Sequence, residues 1–493
     1  MANGLFDVAI IGAGIVGLSI ARRLSRFKLR IAILEKEPDV TMGATKANSA
    51  IVHGGFAESS EKQKGRLCYK GRVQYTKLER ELHFGFQETG SLVFTTQEED
   101  LNKLRALYEN GLRNGLDDLE ILNREQALAI EPNLNPDVLY ALHCKGAGIC
   151  SPYEMAIAMA ENAVKNGAEL FLNTPVTGIA EQNHVFTLFS PGACFQARYV
   201  INCAGISAAE VSAMAVPTAF EIKPRTGEYI LLARGAGKLL GTVVFQMPTK
   251  MGKGILVTPT VHGNLLLGPD AIDEPGTYDR STHVERLAEI YRHALYTTSK
   301  ININQFIRSF AGVRAVATGD DFILEESKTK GFIQAAGIQS PGLTSAPAIA
   351  DRMVEILADA GLELIEKEDF DLTRRPIIPV DKKMRPPKEA ERLLALSDGG
   401  ERLICRCEQV TQDEILDCLR RGIPVHTVDG VKRRTRASMG FCQGDFCRPR
   451  FAELMEREYG KPISPQTDVQ RNGAKRVTKQ ELLTYLAQQT QKE

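Results

Sequence analysis

The sequence has no net charge and no long apolar run. Its 61 Lys and Arg residues balance 61 Asp and Glu residues, so no global positive field attracts nucleic acid or an anionic membrane. No stretch of about 18 apolar residues occurs, so we expect no membrane-spanning helix. Residues 1–6 carry no positive charge, and glycines interrupt the apolar stretch 8–21, with no cleavage site after it, so we expect no signal peptide. These absences favour a cytoplasmic enzyme that meets any charged ligand at a local site.

Cysteines are present but unevenly placed. Five of the ten lie between residues 405 and 447, whereas the other five are scattered over the first 203 residues. Thiols stay reduced in the cytoplasm, where closely spaced cysteines more often bind a metal than form disulfides. We therefore interpret the group at 405–447 as a metal site.

The length of 493 residues and the apolar content of 43% predict two or three domains with cores of their own. Strand-like and helix-like segments alternate from residue 6 to about 360, which is typical of an α/β fold, and no internal repeat or low-complexity tract occurs. From 374 to 402, four prolines and dense charge predict an extended connector rather than a packed element.

The segment after this connector has helix signals of its own. Thr411 and Glu414 form a capping box that opens an amphipathic helix, and Gly422 is placed to end it. Thr478 and Glu481 open a last helix, whose apolar residues are Leu482, Leu483 and Leu486. The chain after about residue 400 is therefore predicted to be a small helical module that contains the clustered cysteines.

A glycine-rich turn near the start of the chain predicts a dinucleotide site. Gly12, Gly14 and Gly17 follow a strand-like run and precede a helix-like one. They permit a tight turn, close approach of a pyrophosphate and close helix–strand packing, while the helix N-terminus offers N–H groups to phosphates. A second strand at 30–34 leads to Glu35, 21 residues past Gly14, where a carboxylate can accept from the ribose hydroxyls. This motif alone does not separate FAD from NAD.

Three further segments resemble the flavin-contacting parts of one enzyme superfamily. They are GATKANSAIVHGG at 43–55, YVINCAG at 199–205 and GIQSPGLTSAP at 337–347. They are similar to the D-amino-acid oxidase-like superfamily of FAD enzymes, and within it to the FAD-dependent glycerol-3-phosphate dehydrogenases and oxidases, with the L-2-hydroxyglutarate oxidases as neighbours. The resemblance implies an α/β fold in which a Rossmann-like FAD-binding domain carries an inserted antiparallel α+β substrate domain.

The resemblance also implies the residues that contact FAD. Gly342 would begin a helix whose N–H groups face the flavin and stabilise negative charge on it, with Leu343 beside it. Gly205 ends the second segment. Asn48 and Ser49 are placed to bond phosphate or flavin, although ordinary turn chemistry explains them as well. No cysteine lies in the turn at 337–345, so we expect FAD to be bound non-covalently.

The same resemblance implies the catalytic and substrate-binding groups. His53 would act as the base for a substrate hydroxyl, while hydride leaves the same carbon for the flavin. Arg314 would bind the phosphate or carboxylate of a small anionic substrate, with Lys253 as a second cation and Ser340 as a further hydrogen-bonding group. Arg308 is a further candidate to line the entrance to the same substrate site. For Lys253 and Arg308, an exposed and solvated charge is an equally open interpretation.

Four of the clustered cysteines form two close pairs. Cys405 and Cys407 are separated by one residue, Cys442 and Cys447 by four, and 34 residues lie between the pairs. One intervening residue is tight for a single tetrahedral zinc ion, whereas four thiolates suit a 2Fe-2S cluster. The surrounding sequence resembles the bacterioferritin-associated ferredoxin-like domain of anaerobic glycerol-3-phosphate dehydrogenases. A zinc site and a module without metal remain as alternatives.

Other residues of this module have simpler interpretations. Cys418 is expected to be a helix-packing thiol outside the quartet. The basic run at 432–436 either offsets the charge of the cluster or forms a solvated face. The expected domain boundaries are 1–85, 150–219 and 306–368 for the FAD-binding domain, 86–149 and 220–305 for the substrate domain, 369–400 for the linker, 401–460 for the helical iron–sulfur domain and 461–493 for a C-terminal helical tail.

The resemblance implies oxidation of sn-glycerol 3-phosphate to dihydroxyacetone phosphate, with electrons passed through the cluster to a protein subunit or a quinone-linked partner. A 2-hydroxy-acid dehydrogenase and an amino or imino acid dehydrogenase are alternatives, because Arg314 suits a carboxylate too. A non-catalytic electron carrier is a third. Such a chain would be cytoplasmic, with membrane association only through a partner.

Overall fold

The strands of the described residues form two large sheets and two small ones. The computed structural model describes residues 4–217, 220–247, 254–273, 279–379 and 382–490. Its strands are β1 (Leu5–Ile11), β2 (Ile31–Leu34), β3 (Ile51–Val52), β4 (Phe86–Gln87), β5 (Ser91–Thr95), β6 (Leu119–Asn123), β7 (Tyr140–Cys144), β8 (Gly148–Cys150), β9 (Glu169–Phe171), β10 (Gly178–Gln182), β11 (Val185–Ser190), β12 (Ala193–Asn202), β13 (Ile222–Leu232), β14 (Val243–Gln246), β15 (Val257–Pro259), β16 (Leu265–Leu267), β17 (Ile272–Asp273), β18 (Phe306–Ala317), β19 (Ile323–Glu326), β20 (Phe332–Ala336), β21 (Leu403–Cys405) and β22 (Val410–Thr411).

The helices cover the sheets and build the C-terminal part of the chain. None of those in the described ranges has the length and apolarity needed to cross a bilayer. They are α1 (Ile15–Leu24), α2 (Gln63–Arg72), α3 (Tyr75–Leu82), α4 (Leu101–Arg113), α5 (Arg124–Ile130), α6 (Pro152–Lys165), α7 (Ala208–Ala215), α8 (Val284–Thr297), α9 (Gly342–Asp359), α10 (Pro387–Leu394), α11 (Gln412–Leu419), α12 (Val428–Thr435), α13 (Arg448–Tyr459), α14 (Asp468–Arg471) and α15 (Lys479–Thr490).

The first sheet has the strand order β10-β11-β12-β1-β2-β9, and β20 and then β19 follow from β12. Strands β2, β1, β12 and β20 pair in parallel, so their carboxyl ends meet at one edge. Helix α1 packs against both α6 and α9, and the three helices share a core of buried aliphatic residues with the sheet. This arrangement confirms the Rossmann-like α/β fold, and the shared edge is where a dinucleotide binds.

The second sheet has the order β17-β13-β16-β15-β14-β5-β7-β6, with β18 also paired to β13. Its pairs are antiparallel except for β5 with β14, so the expected antiparallel substrate domain is present. One boundary differs from the prediction. β18 begins at Phe306, where we expected the FAD-binding domain to resume, yet it pairs with β13 of the second sheet along its whole length.

The prediction of an extended connector is wrong for part of 374–402. Pro387 opens α10, whose Ala390 and Leu393 pack against Leu403. Proline at the first helical position fits a helix start, because its missing N–H is one that the helix leaves unbonded anyway. Arg374 also lies in a packed environment, where it forms a 2.5 Å ion pair with Glu161.

Both predicted capping boxes occur, at Thr411–Glu414 and at Thr478–Glu481. The last helix does not belong to the cysteine module, however. Leu482 of α15 is buried in the core of the second sheet beside α8. The tail therefore packs against the substrate domain rather than against the module, because the apolar face of α15 is buried beside α8.

Candidate active site

A cavity of about 1420 Å³ lies between the two large sheets and reaches the C-terminal module. The carboxyl ends of β1, β2 and β12, one face of β18 and the start of α9 line it. Ligand pockets commonly measure roughly 300–1,000 Å³, so this space exceeds what one small molecule needs. It suits a dinucleotide together with a small substrate.

The glycine turn after β1 has the geometry that a dinucleotide requires. Gly12 has φ of +108°, and a Cβ there would lie 2.5 Å from the carbonyl oxygen of Cys203. A Cβ at Gly17 would lie 2.1 Å from the carbonyl oxygen of Gly12. The N-cap residue Gly14 has no side chain to cap α1, and although the N–H of Ile15 donates to Thr45 Oγ1 at 3.0 Å, the other N–H groups of this helix start can bond phosphate. These three positions therefore fit the pyrophosphate of FAD.

Glu35 follows β2 at the same edge. Its Oε2 accepts from the N–H of Ala13 at 2.7 Å and its Oε1 from the N–H of Glu37 at 3.0 Å. Burial raises the pKa of Glu35, and these two N–H groups oppose that effect. The backbone thus fixes the carboxylate beside the glycine turn, where its remaining lone pairs can accept from ribose hydroxyls.

His53 lies just after β3 and faces the cavity. Its N–H donates to Thr344 Oγ1 at 2.9 Å, which ties the histidine to the first turn of α9. Its Nε2 lies 3.3 Å from Ser340 Oγ, and its ring stands 5.9 Å from that of Phe245. The structure thus brings His53 and Ser340 together. Sequence reasoning missed Thr344, although it lies within the quoted segment 337–347.

The start of α9 confirms the predicted helix at Gly342. The carbonyl of Leu343 accepts a 2.6 Å hydrogen bond from Tyr75, which anchors this end of the helix. Gly205, with φ of +60°, forms the turn after β12 and lines the same cavity. The three flavin-type segments thus meet around one space, although they are far apart in the sequence.

Asn48 serves mainly to hold its own turn. Its Nδ2 donates to the carbonyls of Ala44 and Thr45, and its Oδ1 accepts from Ala50 at 2.8 Å. The alternative of ordinary turn chemistry therefore explains Asn48, which has little bonding capacity left for FAD. Ser49 also lines the cavity, with its Oγ 3.5 Å from the hydroxyl of Tyr229.

The predicted substrate cations are not all in one place. Arg314 of β18 lines the cavity, opposite Arg225 of β13 in the strand register. Arg308 lies on the same strand but six residues earlier, about 20 Å away along an extended chain. It faces the C-terminal module, with Nη1 3.5 Å from Gln443 Oε1. Lys253 lies outside the described residues.

The four module cysteines lie close together. Cys407 Sγ is 3.6 Å from Cys442 Sγ, and Cys405 contacts Cys447 through sulfur. A Cβ at Gly440 would lie 2.3 Å from Cys407 Cβ, so only glycine fits beside that ligand. Backbone N–H groups, including those of Ser438 and Glu408, donate to Cys405 sulfur.

This donor set fits a two-iron cluster. Two thiolate pairs with N–H donors to sulfur match a 2Fe-2S cluster, whose four thiolates are shared between two irons. Cys418 is fully buried in the module core, which confirms its interpretation as a packing thiol.

The basic run on α12 is not a solvated face. Every residue of α12 is buried. Arg433 and Arg434 form ion pairs of 2.6 and 2.8 Å with Asp39, which lies just past β2 in the FAD-binding domain. Arg433 also pairs with Asp468 of α14 at 2.8 Å. These charges therefore dock the module and the tail onto the FAD-binding domain.

Comparison with known proteins agrees with this geometry. Residues 7–356 match the family model described as FAD dependent oxidoreductase, and residues 403–457 match the BFD-like 2Fe-2S binding domain. The chain is 43% identical to a glycerol 3-phosphate dehydrogenase of Caloramator mitchellensis, over 92% of this chain and 95% of the relative. It is 30% identical to a glycerol 3-phosphate oxidase of Mycoplasma pneumoniae, over 71% of this chain and 94% of the relative.

A solved structure, the dithionite-reduced L-alpha-glycerophosphate oxidase from Mycoplasma pneumoniae with FAD bound, superposes with a TM-score of 0.71. It is 27% identical and covers 75% of this chain and 98% of its own. With the glycine turn, Glu35 and the four cysteines in place, the cofactors are FAD and a 2Fe-2S cluster. The chain belongs to the FAD-dependent oxidoreductase family and carries a BFD-like 2Fe-2S binding domain after it.

Proposed function

We propose that this enzyme oxidises sn-glycerol 3-phosphate to dihydroxyacetone phosphate. The observation that carries the proposal is that a candidate base, His53, and a candidate phosphate ligand, Arg314, line the same cavity as the flavin-type segments. The names of the relatives, which act on glycerol 3-phosphate or glycerophosphate, point to the same substrate. Bound FAD supplies the two-electron acceptor for the hydride of the alcohol carbon.

His53 would accept the proton of the substrate hydroxyl at Nε2. In the neutral tautomer with its lone pair on Nε2, the ring accepts a hydrogen bond from Ser340, 3.3 Å away. A substrate hydroxyl can take the place of that donor. Thr344 holds the backbone of His53, so the ring stays aimed into the cavity as the proton moves.

Arg314 would bind the substrate phosphate and orient the alcohol carbon. Its planar guanidinium can donate two parallel hydrogen bonds to phosphate oxygens. Arg314 lies opposite Arg225 of β13 in the strand register, on the face that lines the cavity. The proposed roles of Leu343, Gly205 and Ser49 are to contact FAD, which we expect to be held non-covalently, and Lys253 is proposed as a second phosphate contact.

Electrons would then pass to the cluster and to a redox partner. Met439 and Gln443, which flank Cys442, line the same cavity as His53, so module and flavin segments share one space. Phe441 and Phe446 stand beside Cys442 and Cys447 and are both 74% exposed. Large exposed aromatics are typical of interaction sites. We place the partner, a protein subunit or a quinone-linked protein, on this surface.

None of the ten cysteines is paired in a disulfide, which suits a reducing compartment. We therefore propose that the chain works in the cytoplasm, and that any association with a membrane is made through its partner.

An anaerobic substrate screen on the FAD- and cluster-loaded protein tests the proposed reaction. We expect sn-glycerol 3-phosphate to bleach the flavin, and cluster absorbance to fall afterwards. L-2-hydroxyglutarate, amino acids and glycerol should give less than a tenth of that rate at equal concentration. Reduction by L-2-hydroxyglutarate but not by glycerol 3-phosphate would contradict the assignment, and no reduction by any of these compounds would favour an electron carrier.

The matched variants in this screen are Arg314→Gln and Arg225→Gln. Losing a charge-assisted bidentate contact costs about 1.5–3 kcal/mol, so Arg314→Gln should raise the KM for glycerol 3-phosphate by roughly 10- to 150-fold. Arg225 lies opposite on β13 but is paired with Asp273, so its variant should change KM less than threefold. Equal effects of the two variants would contradict the role of Arg314.

Replacing both Phe441 and Phe446 with Ser tests the partner surface. We expect flavin bleaching and cluster reduction by substrate to keep their rates, because neither ring lines the cavity within the described residues. Electron delivery to a protein acceptor purified with the native enzyme should fall at least tenfold. Leu112→Ser, at an exposed apolar residue of α4, is the control and should leave delivery unchanged. Unchanged delivery in the double variant would place the partner elsewhere.

A further inference from the structure

A second group of cations lines the cavity away from Arg314. The cations that border this part of the cavity are Arg308 of β18, Lys432 of α12, Arg280 before α8, and Arg476 of the C-terminal tail. Arg308 and Arg314 share one face of β18 because they are six residues apart, yet that spacing separates them by about 20 Å along the strand. The two groups of cations therefore cannot bind the same small anion.

These cations are poorly compensated. Lys432 is only 9% exposed, and its ammonium makes no hydrogen bond or ion pair with any residue in the described ranges. Arg476 donates from Nη1 to the carbonyl of Ser309 at 2.6 Å, while its buried Nε has no acceptor. Arg308 has a long contact of 3.5 Å to the neutral Gln443.

The nearby carboxylates balance this charge only in part, because the single carboxylate of Asp429 faces three cations. Asp429 faces the group, and one of its oxygens already accepts the N–H of Asp468 at 2.5 Å. Asp468 itself is paired with Lys46 and Arg433. Burial and then the charge of Arg308 lower the pKa of Lys432, and the same two causes lower the pKa of Arg476 to about 9. Like charges buried together are costly unless an anion joins them.

We propose that Arg308, Lys432 and Arg476 form a second anion site that binds a phosphate dianion. Two guanidinium groups and an ammonium offer donors from three directions, which suits the oxygens of phosphate better than those of a single carboxylate. The occupant would contact β18, the module helix α12 and the tail together. Its binding therefore favours the docked arrangement of the module, by mass action.

The site is tested by counting phosphate ions bound to the FAD- and cluster-loaded protein. Inorganic phosphate is titrated by calorimetry at constant ionic strength. We expect two sites in the native protein, of which Arg314→Gln removes one and Lys432→Gln removes the other. The dissociation constant of the second site should rise at least tenfold in Lys432→Gln. Lys330→Gln, at an exposed lysine between β19 and β20, should keep both sites.

Arg476→Gln provides a second variant if Lys432→Gln does not fold, and it should weaken the same site. Two retained sites in both variants, or a single site in the native holoenzyme that Arg314→Gln removes, would overturn the proposal. The proposal would also be overturned if the variants bind as many phosphate ions as the native protein and lose only the salt dependence of the KM for glycerol 3-phosphate. The cations would then only steer the substrate towards its site. If Arg314→Gln still binds two phosphate ions, the proposed role of Arg314 in binding substrate is wrong, whereas the proposed second anion site is unaffected.

The same titration identifies the source of the phosphate. Adenosine monophosphate and inorganic phosphate carry the same dianion, and both should lose affinity in Lys432→Gln. A nucleotide at least tenfold tighter than phosphate at this site would assign a nucleotide ligand. Equal affinities would assign free phosphate.

Discussion

Replacing His53 with Asn is expected to slow flavin reduction by sn-glycerol 3-phosphate about 10²- to 10⁴-fold, the usual contribution of a general base. Asn keeps a similar shape but cannot accept the hydroxyl proton. The substrate would then have to lose hydride while its oxygen still carries that proton. Anaerobic stopped-flow measurement of flavin bleaching reports this step directly, and the dissociation constant of the substrate should change little because Arg314 is intact.

His293→Asn is the matched control, because this histidine is half-exposed on α8 and does not line the cavity. It should bleach at the native rate. A native rate in His53→Asn would remove the proposed base, whereas a slow rate with a much weaker substrate affinity would assign His53 to binding instead. Flavin content, read from absorbance, must be equal in all three proteins.

The parts of the fold that could be predicted from the sequence are those whose signal is local. The turn at Gly12 needs a positive φ and the approach at Gly17 needs a missing Cβ, and both needs are met within a few residues of chain. Capping boxes are local in the same way, so Thr411 and Thr478 mark helix starts correctly. The four cysteines show their grouping by spacing alone.

Features that depend on distant partners left no such signal. Asp39 bonds Arg433 and Arg434 across 394 and 395 residues. The basic run of α12 has the same sequence whether the helix is solvated or docked, so it does not reveal that contact. The pairing of β18 with β13, which moves a domain boundary, also depends on which sheet offers a free edge. Asn48 was ambiguous because an amide in a turn can bond its own backbone or a ligand with equal ease.

The docking of the module predicts a large effect at one residue. Asp39→Asn leaves the guanidinium of Arg434 buried without its carboxylate and that of Arg433 with Asp468 alone, and breaking a buried pair in this way costs about 3–5 kcal/mol. We expect the module to detach at a lower urea concentration in this variant than in the native protein. Loss of cluster absorbance measures the detachment. Substrate should still bleach the flavin in this variant, while the subsequent reduction of the cluster becomes slow, because the cluster no longer sits against the cavity.

Glu458→Gln is the control, since Glu458 pairs with the largely exposed Arg420 on the same module. Surface pairs contribute about 0–1 kcal/mol, so its unfolding midpoint should stay near the native one. Equal midpoints for Asp39→Asn and the native protein would show that the ion pairs do not dock the module.

Lowering the pH tests the ion pairs of Asp39 with Arg433 and Arg434 without a mutation. Burial alone would raise the pKa of Asp39, but Arg434 and Arg433 lower it to about 2. An Asp in the unfolded chain titrates near 3.9, so the folded form binds this proton less readily. The stabilisation is therefore complete above about pH 4 and is lost as the pH falls towards 2. Native protein should lose module docking across this window, measured by cluster absorbance at fixed urea, whereas Asp39→Asn, which has no carboxyl to titrate there, should show a flatter dependence.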